Sequence, residues 1–304
     1  MKIKYSIIIP HKNDASNLKK LIESLCDLRE CEILIIDDHS TLSEREKLDI
    51  LQRKYTNVMI SCSNITGAGA ARNLGISIAR GQWLIFADSD DRFDREMNKK
   101  ISKYFESNYD VIYFKPIIKV SNQNDYRFFF KGIFDRYLLC PVSINEWTIR
   151  LNFDVPWSKM IRTQYVKQND FQFSNSLKQN DTMFSEMVGI NAHSVKISDS
   201  SIYAVIDRAS STSHQLSKEY FESSLKIIIE SYIYKRNHVA THRLIESDMA
   251  HFHSPLYAIL LSLKHYKSVV YTYRVYSLFK KNKIPIFTWK AYRSLIRRSH
   301  FFNI

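Results

Sequence analysis

The stretch Trp83-Leu84-Ile85-Phe86-Ala87-Asp88-Ser89-Asp90-Asp91 decides how this chain is read. A run of five apolar residues fits a strand buried on both faces, and such strands belong to parallel sheets. Three carboxylates follow at its carboxyl end, which is where open α/β sheets bind ligands. The pattern repeats on either side. Short apolar runs at 5–9, 32–36, 58–61 and 111–114 alternate with stretches at 15–27, 43–54, 67–80 and 95–105, in which apolar residues recur every three or four positions. Strands alternating with helices predict a mostly parallel sheet covered on both faces. Two more strand ends carry polar clusters: Pro10-His11-Lys12-Asn13-Asp14 and Asp37-Asp38-His39-Ser40.

Like charges packed as tightly as Asp88, Asp90 and Asp91 are costly unless a cation sits among them. Mg²⁺ or Mn²⁺ answers best, since both take carboxylate oxygens and complete their shell with substrate phosphates. A solvated acidic turn and a helix N-terminus are the plainer readings. An EF-hand is excluded, because Phe93 and Lys99 stand where Gly and Glu are required. Asp37-Asp38-His39-Ser40 reads equally as a capping segment for the helix after it. Four of only six glycines (Gly67, Gly69, Gly75, Gly81) fall within Gly67-Ala68-Gly69-Ala70-Ala71-Arg72-Asn73-Leu74-Gly75 and the few residues beyond it. This is a broken dinucleotide fingerprint, with Arg72 at the third glycine position and the motif in the third strand–helix unit. A helix N-terminus and one arginine would still attract a diphosphate. Tight helix packing with Arg72 exposed is the competing reading.

The totals agree with a folded enzyme-sized chain. With 304 residues, 45% hydrophobic and 25% charged, it lies outside the disordered, collagen-like and low-complexity classes. Its net charge of +13 is uneven, because residues 209–304 hold fifteen Lys/Arg against five Asp/Glu, and no acidic residue follows Asp248. The apolar run near the N-terminus is too short for a secretory signal. No stretch approaches the ~20 apolar residues of a membrane span. Cys26, Cys31, Cys62 and Cys140 form no CxxC pair, so buried free thiols and a reducing cytoplasm are expected. Between 115 and 210 the pattern predicts strands at 117–120 and 126–130 and a helix near 181–190. Beyond residue 217 it predicts helices at 218–235, 253–265, 268–280 and 287–298, with breaks at Pro255 and Pro285. This tail is basic and aromatic, the composition of helices that lie on anionic membranes. Packing on the rest of the chain, a solvated face and self-association into a homo-oligomer are the alternatives.

The ordered set SIIIP, IIDDHS, GAGAARNLGI and FADSDD, followed by a later acidic residue, resembles the inverting glycosyltransferases of family 2, which have the GT-A fold. The resemblance covers roughly residues 1–210. It implies a GT-A catalytic domain over 1–214, its nucleotide-sugar half about 1–115 and its acceptor half about 116–214, with a helical extension over 215–304. Pro10, His11, Asn13, Asp37 and Asp38 would receive the nucleotide base, with Asp38 favoured. Gly67 and Arg72 would meet the diphosphate, Asp88 and Ser89 the ribose side, and Asp90 with Asp88 the metal, Mn²⁺ or Mg²⁺. Asp91 matches an extra acid often found there. Trp157 and Lys159 resemble the acceptor-side W-x-K segment, and Asn180-Asp181 the E-D pair, which makes Asp181 the catalytic base. Tyr203 and Arg208 match a later segment loosely, and His214 beyond Ser211 and Ser213 is a further candidate near the metal. Two departures stand out: Asn180 replaces Glu, and His39 replaces a common Gly.

The implied activity is transfer of a hexose or N-acetylhexosamine from a UDP-sugar to a glycan or lipid-linked hydroxyl in bacterial surface polysaccharide synthesis, on the inner face of the cytoplasmic membrane. Three rivals are weaker. A nucleotidyltransferase needs a phosphate loop that PHKND is not, and a nicotinamide oxidoreductase needs the intact fingerprint. A nucleic-acid binder, which would explain the charge, needs cations at the strand ends, and those ends are acidic.

Overall fold

The computed structural model describes residues 3–25, 30–122, 125–207, 217–246 and 255–286. Its first half alternates strand and helix as the apolar runs require: β1 (Tyr5–His11), α1 (Ala15–Glu23), β2 (Cys31–Asp37), α2 (Leu42–Lys54), β3 (Val58–Cys62), α3 (Ala68–Ile78), β4 (Trp83–Phe86) and the short β5 (Arg92–Phe93). Then come α4 (Met97–Ser102), β6 (Val111–Phe114), β7 (Ile117–Lys119), α5 (Arg127–Leu139), α6 (Ser143–Asn152), β8 (Lys159–Arg162), α7 (Thr163–Gln168), α8 (Thr182–Asn191), β9 (Val195–Ser198) and β10 (Tyr203–Ile206). Seven strands form one sheet in the order β3-β2-β1-β4-β8-β6-β9, and β5-β10-β7 form a second. The β3-β2-β1-β4 run is parallel throughout, while β8 lies antiparallel between β4 and β6. Every residue of β2 is buried, as expected of a parallel strand with both faces covered.

The sheet's lower edge is closed by a polar knot. Ser6 Oγ donates to Glu32 Oε1 (2.6 Å), and Glu32 also takes the Arg80 backbone N–H (2.6 Å) and Nε–H (2.8 Å). Gly81 gives its N–H to Ser6 Oγ (2.9 Å), and a Cβ there would sit 2.5 Å from the Ser6 nitrogen. Gly81→Ala is therefore expected to destabilise the protein by about 1–3 kcal/mol through forced backbone displacement, read as a lowered thermal midpoint.

Several sequence expectations are corrected. Residues 126–130, expected as a strand, open α5. Their aromatic run hides a helical face, Phe130, Ile133 and Phe134, which is buried against Phe153. Cys62 and Cys140 are exposed thiols and only Cys31 is buried, while Cys26 lies outside the described residues. Pro255 is the first described residue of a helix, and the residues before it, where a break is expected, lie outside the described ones. The expected helix at 287–298 lies outside the described residues.

Four C-terminal helices are described: α9 (Lys218–His238), α10 (Thr241–Glu246), α11 (Pro255–Tyr266) and α12 (Val269–Lys281). Leu225 and Ile228 of α9, Ala258 of α11, and Val275 and Phe279 of α12 build a second apolar cluster. The other side of α9 docks on α8. Lys235 Nζ meets Glu186 Oε1 at 2.6 Å, Ser231 Oγ donates to the same oxygen (2.9 Å), and both charged residues are buried. Trp147 of α6 is covered by the guanidinium groups of Arg150 and of Arg243 from α10, at 4.0 and 4.5 Å from its ring. Among the described residues, no helix is long and apolar enough to cross a membrane.

Candidate active site

Because β2, β1 and β4 are neighbours, their carboxyl ends bring the three polar clusters together. The first two loops are tied to each other. Asn13 gives its N–H to Ser40 Oγ (2.9 Å) and accepts the Thr41 N–H on Oδ1 (2.8 Å), while the Asp38 N–H donates to the His11 carbonyl (2.7 Å). Asn13 and His39 both have left-handed backbones, φ +53° and +59°. His39 thus keeps the turn that a glycine would make there. The two carboxylates of this loop differ in use. Asp37 is fully buried and held by the Ser40 N–H (3.2 Å) and by Arg45 Nε of α2 (3.1 Å), whereas Asp38 faces Lys12 Nζ (3.5 Å) and His39 Nδ1 (3.2 Å). Neither side chain caps α2, whose N-cap is Thr41. His11 is buried, and burial holds its imidazole below its ordinary pKa against the pull of Asp37 and Asp14.

The loop after β4 is gripped from β10. Tyr203 Oη accepts the Asp88 N–H (2.8 Å) and donates to Asp91 Oδ2 (2.8 Å), while the Ile206 N–H donates to Asp91 Oδ1 (2.8 Å). Asp91 is therefore a buried anchor. Its burial, with Asp88 and Asp90 nearby, pushes its pKa well above the ordinary carboxylate value. Trp157 stacks on Tyr203 at 5.9 Å and lies among Phe130 and Phe153. With Asp91 committed, Asp88, Ser89 and Asp90 are the half-buried residues at the strand end.

A divalent cation is implied by the acidic motif, and the donor set can be tested against it. Asp88 and Asp90 supply hard carboxylate oxygens, but no three His, Cys, Asp or Glu side chains converge as a metal-holding group among the described residues. That composition fits Mg²⁺ or Mn²⁺ held by one or two carboxylates and completed by substrate phosphates and water. His214 and Arg208 lie outside the described residues.

Arg72 joins this strand end to the residue beside the expected base. It is buried, giving Nη2–H to Asp88 Oδ1 (2.6 Å) and Nη1–H to Asn180 Oδ1 (2.8 Å), with its guanidinium 5.3 Å from the Phe173 ring. Next to it, Asn73 exchanges two hydrogen bonds with the Phe173 backbone, at 2.9 and 2.8 Å. A Cβ on Gly69 would meet the Ser174 carbonyl oxygen at 2.1 Å, and one on Gly75 would meet Ile8 Cγ2 at 2.4 Å. Close packing accounts for these two glycines, while Gly67 alone has a positive φ, +118°. Residues 69–73 thus clamp the loop that ends in Asn180-Asp181. The exposed-arginine reading is replaced by a buried, bridging one.

Asp181 sits at the N-cap of α8, yet its side chain makes no capping bond. Burial pushes its pKa up to about 6, Arg72 pulls it down, and Asp154 and Asp88 push it up again. Asp154 carries no sequence signal beyond its place two residues before Pro156. Its Oδ2 is 3.5 Å from Thr182 Oγ1. Lys159 is enclosed beneath the site, its ammonium bonded to the carbonyls of Phe153 (2.7 Å) and Val155 (2.5 Å). Burial lowers its pKa to about 7, opposed by Asp154, Asp181 and Glu186. Trp157 and Lys159 are therefore buried supports that fix the segment carrying Asp154.

Comparison with known proteins follows the same lines. The model of glycosyl transferase family 2 matches residues 6–169. The poly(ribitol-phosphate) β-N-acetylglucosaminyltransferase TarS of Staphylococcus aureus is 25% identical over 238 residues, covering 74% of this chain and 40% of that protein. The cholesterol galactosyltransferase of Borreliella burgdorferi is 27% identical over 232 residues, covering 71% of this chain and 63% of that protein. The matched part of the chain thus spans 40% of the length of TarS. Among solved structures, S. aureus TarS 1-349 in complex with UDP-GlcNAc matches with a TM-score of 0.65 at 21% identity, covering 86% of this chain and 73% of that one. A mannosyltransferase from Pyrobaculum calidifontis, in complex with GDP-Man and Mn²⁺, matches at 0.58 and 8% identity, covering 98% and 80%. These likenesses show a GT-A-like α/β fold. The family match spans more than half of the chain, which belongs to glycosyl transferase family 2.

Proposed function

We propose that the protein transfers a hexose or N-acetylhexosamine from a UDP-sugar to an acceptor hydroxyl, inverting the anomeric centre, with Asp181 as base. The observation that carries this reading is the double bridge of Arg72, which ties the carboxylate at the donor strand end to the residue beside Asp181. In the step, the acceptor hydroxyl gives its proton to the Asp181 carboxylate as its oxygen bonds to the anomeric carbon. The bond from that carbon to the diphosphate oxygen breaks, and its electron pair leaves with UDP. A single displacement converts an α-linked donor into a β-glycoside, in keeping with the β-transferases among the relatives.

Asp38, with Pro10, His11 and Asn13, is assigned to the nucleotide base, Gly67 to the diphosphate, and Asp88 and Ser89 to the ribose side. Asp88 and Asp90 are assigned to hold Mg²⁺ or Mn²⁺, which when bound would neutralise charge on the departing diphosphate. Asn180, Asp154 and the segment held by Lys159 and Trp157 form the acceptor side. The relatives' names, poly(ribitol-phosphate) and cholesterol transferases, point to a polyol-phosphate or lipid hydroxyl as acceptor, beside the glycan hydroxyl of surface-polymer synthesis at the cytoplasmic face that the sequence motifs imply. The test is nucleotide release from a panel of UDP-sugars with these acceptors, with Mn²⁺ and with chelator. One donor is expected to release UDP in a cation-dependent way. Silence across the panel would overturn the reading, and retained configuration in the product would overturn the single displacement.

A further inference from the structure

The turn between α11 and α12 ends in an unusual surface. Val269, Val270 and Tyr273 are 77%, 82% and 68% exposed, and Leu263 across the turn is 43% exposed. Lys267 and Arg274 are exposed beside them, and no Asp or Glu occurs after Asp248 in the sequence. An apolar tip inside a cationic collar complements a bilayer with anionic headgroups, where the tip leaves water and the collar meets phosphate.

The position of the tip adds direction. Tyr266 and Tyr271, which flank it, pack on the first turns of α9: Phe221 lies 5.6 Å from the Tyr266 ring, Lys218 Nζ lies 5.0 Å from the Tyr271 ring, and Tyr271 Oη donates to Glu222 Oε1 (3.1 Å). The next residue of that helix end, Ser223, takes the Leu177 N–H on its Oγ (3.1 Å). Leu177 belongs to the loop that ends in Asn180-Asp181. The tip and the base loop thus share one end of α9. The geometry points to a membrane-docking device: the α11–α12 tip seats on an anionic lipid surface and holds the Asp181 end of the protein toward it, which suits an acceptor anchored in that surface. Only this last clause rests on the proposed transfer reaction, because docking itself needs no donor.

The test is sedimentation of the full chain with phosphatidylcholine vesicles, with and without phosphatidylglycerol. Wild type is expected to pellet with the anionic vesicles and much less with the neutral ones. Each collar cation lost in K267A/R274A should weaken binding roughly fivefold, and V269D/V270D/Y273D should remove it, with the thermal midpoint of both variants unchanged. Equal pelleting with neutral vesicles, or undiminished pelleting of the tip variant, would overturn the proposal. Conversion of a wild-type dimer to a monomer by the tip variant without lipid would also overturn it, in favour of self-association. So would binding that depends on residues 287–304 and not on the tip. Nucleotide release with a water-soluble acceptor, measured in parallel, keeps failure of docking separate from failure of the transfer reaction.

Discussion

Asp181→Asn should lower transfer by roughly 10²–10⁴-fold, the usual contribution of a positioned base, while nucleotide binding stays intact. Asn fills the same volume and leaves Arg72, Asp88 and Asn180 in contact. The outcome to measure is UDP release at saturating donor beside calorimetric UDP affinity. Unchanged turnover would remove Asp181 from the reaction. The pH profile gives a second, independent reading. In the proposed role Asp181 accepts a proton only when ionised, and burial pushes its pKa up to about 6. Activity should therefore fall about tenfold per pH unit below about 6 and level off above it. A flat profile down to the ordinary carboxylate range would mean that this carboxylate does not accept the proton.

The second large effect concerns the contact between α8 and α9. Glu186→Ala leaves the Lys235 ammonium buried without its carboxylate, a change that typically costs about 3–5 kcal/mol. Calorimetric melting should show a drop of roughly 10 °C for a chain of this size. Glu186→Leu combined with Lys235→Met should recover most of the loss, since well-packed apolar residues often replace a buried pair at little cost. If the single variant melts like wild type, α9 does not depend on this pair for its docking. Because Glu186 lies on the helix that begins directly after Asp181, the single variant should also lose activity below its melting point, and the paired variant should regain it.

How much of this was readable from sequence depended on distance along the chain. The central strands announce themselves, since a parallel strand buried on both faces needs a continuous apolar run, and residues 7–9 of β1, 33–36 of β2 and all of β4 and β6 supply one. The short β8, β9 and β10 did not. Four residues carry too little periodicity, the more so with a charge at each end as in Lys159–Arg162, and only pairing partners elsewhere make them strands. The aromatic run at 128–130 was misleading because three consecutive phenylalanines satisfy strand and helix patterns alike, and the decisive Ile133 and Phe134 lie beyond the expected strand.

The site divided in the same way. Its acidic and glycine motifs stood out locally, yet their use did not. Nothing local tells that Asp91 is spent on Tyr203, 112 residues away, that Gly69 makes room for Ser174, or that Lys159 is enclosed. The composition of the basic tail leaves a membrane-facing surface and packing on the rest of the chain equally open. That one side of α9 carries a buried lysine aimed at α8 could be learned only from the fold.

Arg72 has a mechanical consequence. Its partners Asp88 and Asn180 lie 16 and 108 positions away in the chain and belong to opposite sides of the proposed bond exchange. A guanidinium is a flat, rigid fork, so both partners are referred to a single plane. Any tilt of that plane moves leaving-group side and base side together and preserves their spacing. The site can thus breathe as a unit without losing its internal alignment, a tolerance that a flexible, point-like lysine ammonium in the same place would not confer.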